Sequence, residues 1–214
     1  MTDPRSSCAT PAPRHHPFPE TLASYAAGTM RAGFEVVIAA HLQTCAVCRA
    51  EVARLERLGG HLIDEIDPVA LGEHALAATL ARLEEPSSSP SHPPGGLVQR
   101  LSGARRRWVA PGVWTAKVET PHQRDDRVYL LRVAPGAKTA RHSHDGAEFT
   151  QILEGALEDD GVVYRAGDFV ELGPDHIHRP SVHGHEACLC LFATEGRLVA
   201  KNLVGRIAFA VANV

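Results

Sequence analysis

The run PSSSPSHPPGG at residues 86–96 divides this chain of 214 residues. Proline, serine and glycine without an apolar residue cannot build a core, so the run reads as a flexible linker. The length suits one large domain or two small ones. The hydrophobic period differs on the two sides of the run, which points to two: an all-α unit over 1–85 and an all-β unit over 97–214.

On the amino-terminal side the signals are helical. PETLASYAAGTM opens with a proline suited to a first helical turn and reaches Gly28, a plausible stop. From 31 to 58 Phe34, Val37, Ile38, His41, Cys45, Cys48, Val52, Leu55 and Leu58 recur at threes and fours. The Gln43–Thr44 step offers a break within that run, with Thr44 as a cap, and Gly59–Gly60 are expected to end it. A further helix fits 73–85, with Leu76, Leu80 and Leu83 on one stripe. The expected product is a small bundle of three or four helices.

Beyond the linker, VYLLRVAPG, FTQILEGALEDDG, VVYRAGDFVELGPD and ACLCLFA are β-rich runs between Gly, Pro and Asp turns, a spacing that suits a sandwich or jelly-roll barrel. Trp108, Trp114, Tyr129 and Phe149 are expected to fill it. Cys188 and Cys190 share one face of a strand, as two small core residues or as a pair oxidised together. His183 and His185 flank that strand.

A formal charge of −3 argues against direct nucleic-acid binding, and no stretch is long and apolar enough to cross a bilayer. The first residues lack the apolar core of a secretory signal, so the cytoplasm is the expected location. Cysteines in that reducing compartment favour metal or redox roles over disulfides.

Two clusters carry metal-ligand chemistry. In the β half, His142 and His144 alternate on one strand face, Glu148 follows beyond a turn, and His178 lies further on. Three imidazoles and a carboxylate suit Zn, Fe, Mn or Ni. These residues, with Gly136, Gly155, Gly167 and Asp168, resemble the two signature motifs of the cupin superfamily over roughly 97–200. The second motif departs from the pattern at Gly173, Asp175 and Val182. The resemblance implies a divalent metal, zinc being the expectation, at His142, His144, Glu148 and His178; His176 is the competing position by proximity.

In the helical half, HLQTCAVC places His41, Cys45 and Cys48 at spacings that let one local element reach a single ion. A structural zinc site wants four ligands, and His15, His16, His61, His74 and Cys8 are the candidates for the fourth. A histidine some two dozen residues ahead of H-x-x-x-C-x-x-C in a helical bundle resembles the zinc-binding anti-sigma domain. That resemblance implies zinc on His16, His41, Cys45 and Cys48, with His15 the weaker choice. Buried core cysteines and a redox C-x-x-C are the competing readings.

With the YAAGT and RLGGHLIDE segments added, the helical unit, linker and cupin together resemble the ChrR family of anti-sigma factors. The resemblance implies one extracytoplasmic-function sigma factor bound by the zinc unit. It also implies release on oxidative stress, such as singlet oxygen or organic peroxide, in a response requiring the cupin. No catalysis is then expected. The rival is a metal-dependent cupin dioxygenase with an accessory helical domain.

Overall fold

The computed structural model describes residues 12–84, 105–118, 126–137, 139–144, 146–174, 176–196 and 198–200. Cys8, the linker at 86–96, Asp175 and residues 201–214 lie outside them.

The helices are α1 (Pro19–Ala26), α2 (Ala32–Thr44), α3 (Ala46–Asp64) and α4 (Ala75–Glu84). The proline of α1 sits in its first turn, and Gly28 follows its end at φ +66°, a left-handed conformation that glycine adopts without steric cost. α2 and α3 meet at a bend of 118°. The break falls at Cys45, one residue beyond the expected Gln43–Thr44 step. The Cys45 thiol caps α3 by accepting the Cys48 N–H at 3.4 Å, while the Thr44 hydroxyl turns back to donate to the His41 carbonyl at 3.0 Å. Gly59 and Gly60 do not end α3, which runs on to Asp64. A glycine in a helix interior costs about 1 kcal/mol, but it stops the helix only where its φ turns positive, as at Gly28.

The β half contains β1 (Arg106–Ala110), β2 (Val113–Lys117), β3 (Asp126–Val133), β4 (His142–His144), β5 (Glu148–Glu154), β6 (Ala156–Asp159), β7 (Val162–Arg165), β8 (Phe169–Leu172), β9 (Ser181–Val182), β10 (Cys188–Glu195) and β11 (Leu198–Ala200). All pairings are antiparallel. They form a six-stranded sheet in the order β1-β2-β3-β10-β5-β8, a three-stranded sheet β7-β6-β9 and the pair β11-β4. Ile152, Cys188 and Cys190 from the large sheet share a core with Leu157 from the small one, so the two sheets face each other as a sandwich. Gly155 joins β5 to β6 at φ +71°, where a β-carbon would run into the Ala187 carbonyl.

The helices do not form a bundle apart from this sandwich. α2 is apolar around most of its circumference, and a helix of that kind must be covered on more than one side. It lies across β3, β10 and β5, and packs more lightly on α3, which α1 covers. Phe34, Val37 and Ile38 share one buried cluster with Trp114, Val128, Leu130, Phe149, Phe169 and Leu191. Because side chains alternate along a strand, Phe149 and Leu191 face the helix while Thr150 and Cys190 face inward. Trp114 and Phe149 therefore fill the helix–sheet interface rather than the barrel, and Phe149 meets Phe34 edge to face at 4.5 Å. Tyr129 does pack in the β half, stacked on Phe192. Trp108, on the edge strand β1, is 67% exposed.

Polar contacts complete the junction. The Arg14 and His15 N–H groups donate to Asp168 Oδ1 at 2.6 and 3.1 Å, and the Phe169 N–H donates to the His15 carbonyl at 3.0 Å. The Thr21 hydroxyl donates to Glu171 at 2.7 Å, and Arg31 pairs with Glu195 at 2.9 Å. Burial opposes ionisation of Asp168, but the N–H groups of Arg165, Arg14 and His15 outweigh it and hold the carboxyl below the usual range.

Candidate metal centres

The bend at Cys45 brings the first cluster together. His41 lies in the last turn of α2, Cys45 occupies the corner, Cys48 lies in the first turn of α3, and His16 arrives on the segment ahead of α1. His16 Nδ1 stands 3.3 Å from Cys45 Sγ and 3.4 Å from Cys48 Sγ. His41, Cys45 and Cys48 are buried, His16 is exposed, and one donor atom from each of the four lies within 4.8 Å of the others. His41 Nδ1 faces two acceptors, Gln151 Oε1 at 2.9 Å and the Gly167 carbonyl at 3.1 Å. It must therefore carry the ring proton, which leaves Nε2 as a bare lone pair. That atom is buried with no hydrogen-bond partner. Burial, aided by Cys45, pushes the Cys48 thiol up to about 12. Two nitrogens and two sulfurs, one of them an otherwise orphaned buried lone pair, fit a closed tetrahedral ion. His15 turns away to Asp168 Oδ2 at 3.2 Å, and His61 and His74 are not among the four.

The second cluster lies inside the sandwich. His142 and His144 come from β4, Glu148 opens β5, and His178 precedes β9. A reciprocal pair of backbone hydrogen bonds, at 3.1 and 3.0 Å, sets His178 opposite His142. His178 Nε2 lies 3.1 Å from His142 Nε2 and 3.2 Å from His144 Nε2, and a Glu148 oxygen lies 3.5 Å from the latter. His142 Nδ1 faces the Ala140 carbonyl at 2.9 Å and His178 Nδ1 faces Asp159, so in the neutral rings the Nε2 atoms converge as lone pairs, a donor set that also fits a divalent ion. Burial, reinforced by the His178 ring, holds His142 and His144 down to about 4, and burial raises Glu148 to about 7. Burial also pulls on His178, but Asp159 Oδ2, 2.6 Å from its Nδ1, keeps the ring above its ordinary value. Its neighbour His176 pairs with Asp160 at 3.2 Å. His183 pairs with Glu158 at 3.1 Å at the surface, and His185 is exposed. Cys188 and Cys190 are buried beside Ile152, and the Cys188 contact together with burial raises the Cys190 thiol well above its ordinary value.

Residues 98–198 match the family described as the ChrR cupin-like domain. The anti-sigma-E factor ChrR of Cereibacter sphaeroides is 34% identical over 196 residues, spanning 86% of this chain and 91% of that protein. The chain belongs to the ChrR family of anti-sigma factors. Among solved structures, Rhodobacter sphaeroides SigE in complex with the anti-sigma ChrR matches with a TM-score of 0.74 at 35% identity, covering 85% of this chain and 99% of that one. The cupin fold of the β half and the helical unit ahead of it are those of this family.

Sequence reasoning missed the groups behind the ligands. Asp159 sits in LEDDG, which reads as a turn, and its pairing with His178 spans 19 residues with no local pattern. Gln151 is not a ligand-type residue and lies 110 residues from His41.

Proposed function

We propose that this protein sequesters one extracytoplasmic-function sigma factor through its helical unit, and releases it under oxidative stress in a response that needs the cupin. The observation that carries this reading is the likeness to the SigE–ChrR complex, which extends over 99% of the ChrR chain seen there. A surface suited to a helical partner supports it. Leu58, Leu62 and Ile63 on α3 and Leu76, Leu80 and Leu83 on α4 are at least half exposed, arranged as apolar stripes. Occlusion by such a surface needs no catalytic step, and the protein is read as a regulator of transcription rather than an enzyme.

The functional units are taken as 1–85, a linker at 86–96 and 97–214. Zinc is the ion assigned to His16, His41, Cys45 and Cys48, where it would tie the N-terminal segment, α2 and α3 into one body and supply folding free energy. Zinc is also proposed for His142, His144, Glu148 and His178. No single helix among the described residues is long and apolar enough to cross a membrane, in keeping with a cytoplasmic site of action.

Full-length protein used as bait in its native cell extract is expected to capture a sigma factor at a 1:1 ratio, and to lose it when zinc is chelated. Capture of no sigma factor by folded, zinc-loaded protein would overturn this reading. At the cupin cluster, the Asp159 carboxylate orients and polarises His178, so Asp159→Asn is expected to weaken zinc binding there roughly 10–100-fold. A competition titration on protein lacking Cys45 and Cys48 isolates that site.

A further inference from the structure

The His41 imidazole and the backbone immediately ahead of His16 are both held from the cupin side. The Gln151 amide is fixed by donating from Nε2 to the Ile152 carbonyl at 2.9 Å, which turns its Oε1 to His41 Nδ1. The Gly167 carbonyl accepts from the same nitrogen. The next residue, Asp168, accepts the Arg14 and His15 N–H groups immediately ahead of His16. The Gly167–Asp168 turn is tied back to β5 in its turn, by the Gly167 N–H to the Ile152 carbonyl at 2.9 Å and the Ile152 N–H to the Asp168 carbonyl at 3.0 Å. β5 thus has two roles on its two faces: Glu148 points into the cupin cluster, and Gln151 points out to His41.

We propose that Gln151 and the Gly167–Asp168 turn are positioning residues for the helical metal cluster, so that its metal affinity is set by the docked cupin sheet. This rests on the assignment of a metal to His16, His41, Cys45 and Cys48. A fixed acceptor on the far nitrogen of a metal-bound imidazole holds the tautomer and the ring angle and raises the basicity of the bound nitrogen. Here the acceptors belong to the β half while the ligands belong to the helical half. A displacement of β5 or of the β7–β8 turn therefore reaches the metal through hydrogen bonds, with no ligand exchanged between the units.

The test is cobalt and zinc binding to the full-length protein. The thiolate-to-cobalt charge-transfer band reports the helical cluster, and its loss in Cys48→Ser assigns it. Gln151→Met keeps length and volume but removes the shorter of the two acceptors on His41 Nδ1, and is expected to lower affinity at that band on the order of 10-fold. Gln151→Glu, which keeps an acceptor oxygen for His41 although it loses the bond to the Ile152 carbonyl, is expected to retain more affinity than Gln151→Met, a rescue that a packing role would not give. Asp168→Asn, acting on the His16 side, is expected to lower affinity as well. Wild-type affinity in Gln151→Met overturns the proposal. Should that variant fail to fold as judged by its metal-free melting curve, wild-type affinity in Asp168→Asn does so. A wild-type protein with no band that Cys48→Ser removes would sink the metal assignment and this inference together. A normal wild-type band left unchanged in Gln151→Met sinks the inference alone.

Discussion

Cys48→Ser is expected to strip the ion from the helical cluster and lower sigma-factor affinity by on the order of 10³-fold or more, since closed zinc sites in small domains supply folding free energy directly. Serine keeps the size of the side chain but offers no soft sulfur ligand. The loss would reach beyond the ion, because His16 has its contacts to Cys45 and Cys48 as an anchor on the helices. Metal content and sigma binding, measured on the same purified variant, check the two halves of the expectation. Undiminished sigma binding by a metal-free variant would show that the helices hold their arrangement without it.

Phe34→Ala is expected to destabilise the protein by about 3–5 kcal/mol, the range for deleting a large aromatic side chain from a packed core. Phe34 is only 4% exposed, and it packs on Phe149 of the sheet as well as within the helical half. The change removes a contact that joins the two units, so the midpoint of chemical denaturation should fall for probes in both. A loss below about 1 kcal/mol, or a shift confined to helical probes, would mean that α2 is not part of the sheet's core.

The parts of this molecule that were legible in the sequence were those encoded at short range. His142, His144 and Glu148 lie on one strand and the next, so alternation and one turn bring them together. His41, Cys45 and Cys48 lie within two helical turns. The family likeness decided for His178 over His176 and for His16 among the candidate fourth ligands, choices that no local period marks. Other features depend on tertiary context. The apolar period of α2 indicates a buried helix but not that a β-sheet buries it, and the composition of 86–96 suggested two bodies without revealing the core they share. Trp114 and Phe149 read as barrel filling because strand alternation fixes that a residue is on a face, not which face meets a helix. The break at Cys45 rather than Thr44 turns on a thiol capping an N–H, a role the usual capping preferences do not assign to cysteine.

That corner has a mechanical consequence. α3 has 19 residues and, at 1.5 Å per residue, reaches about 28 Å from its pivot. A swing of only 10° at Cys45 would carry the far end, where Leu62 and Ile63 are presented, through about 5 Å, or roughly one helical turn. The long helix is a pointer whose corner is one sulfur-bearing residue and whose near end rests on α1 and α2, and small adjustments there are magnified where the leucines must register with another protein.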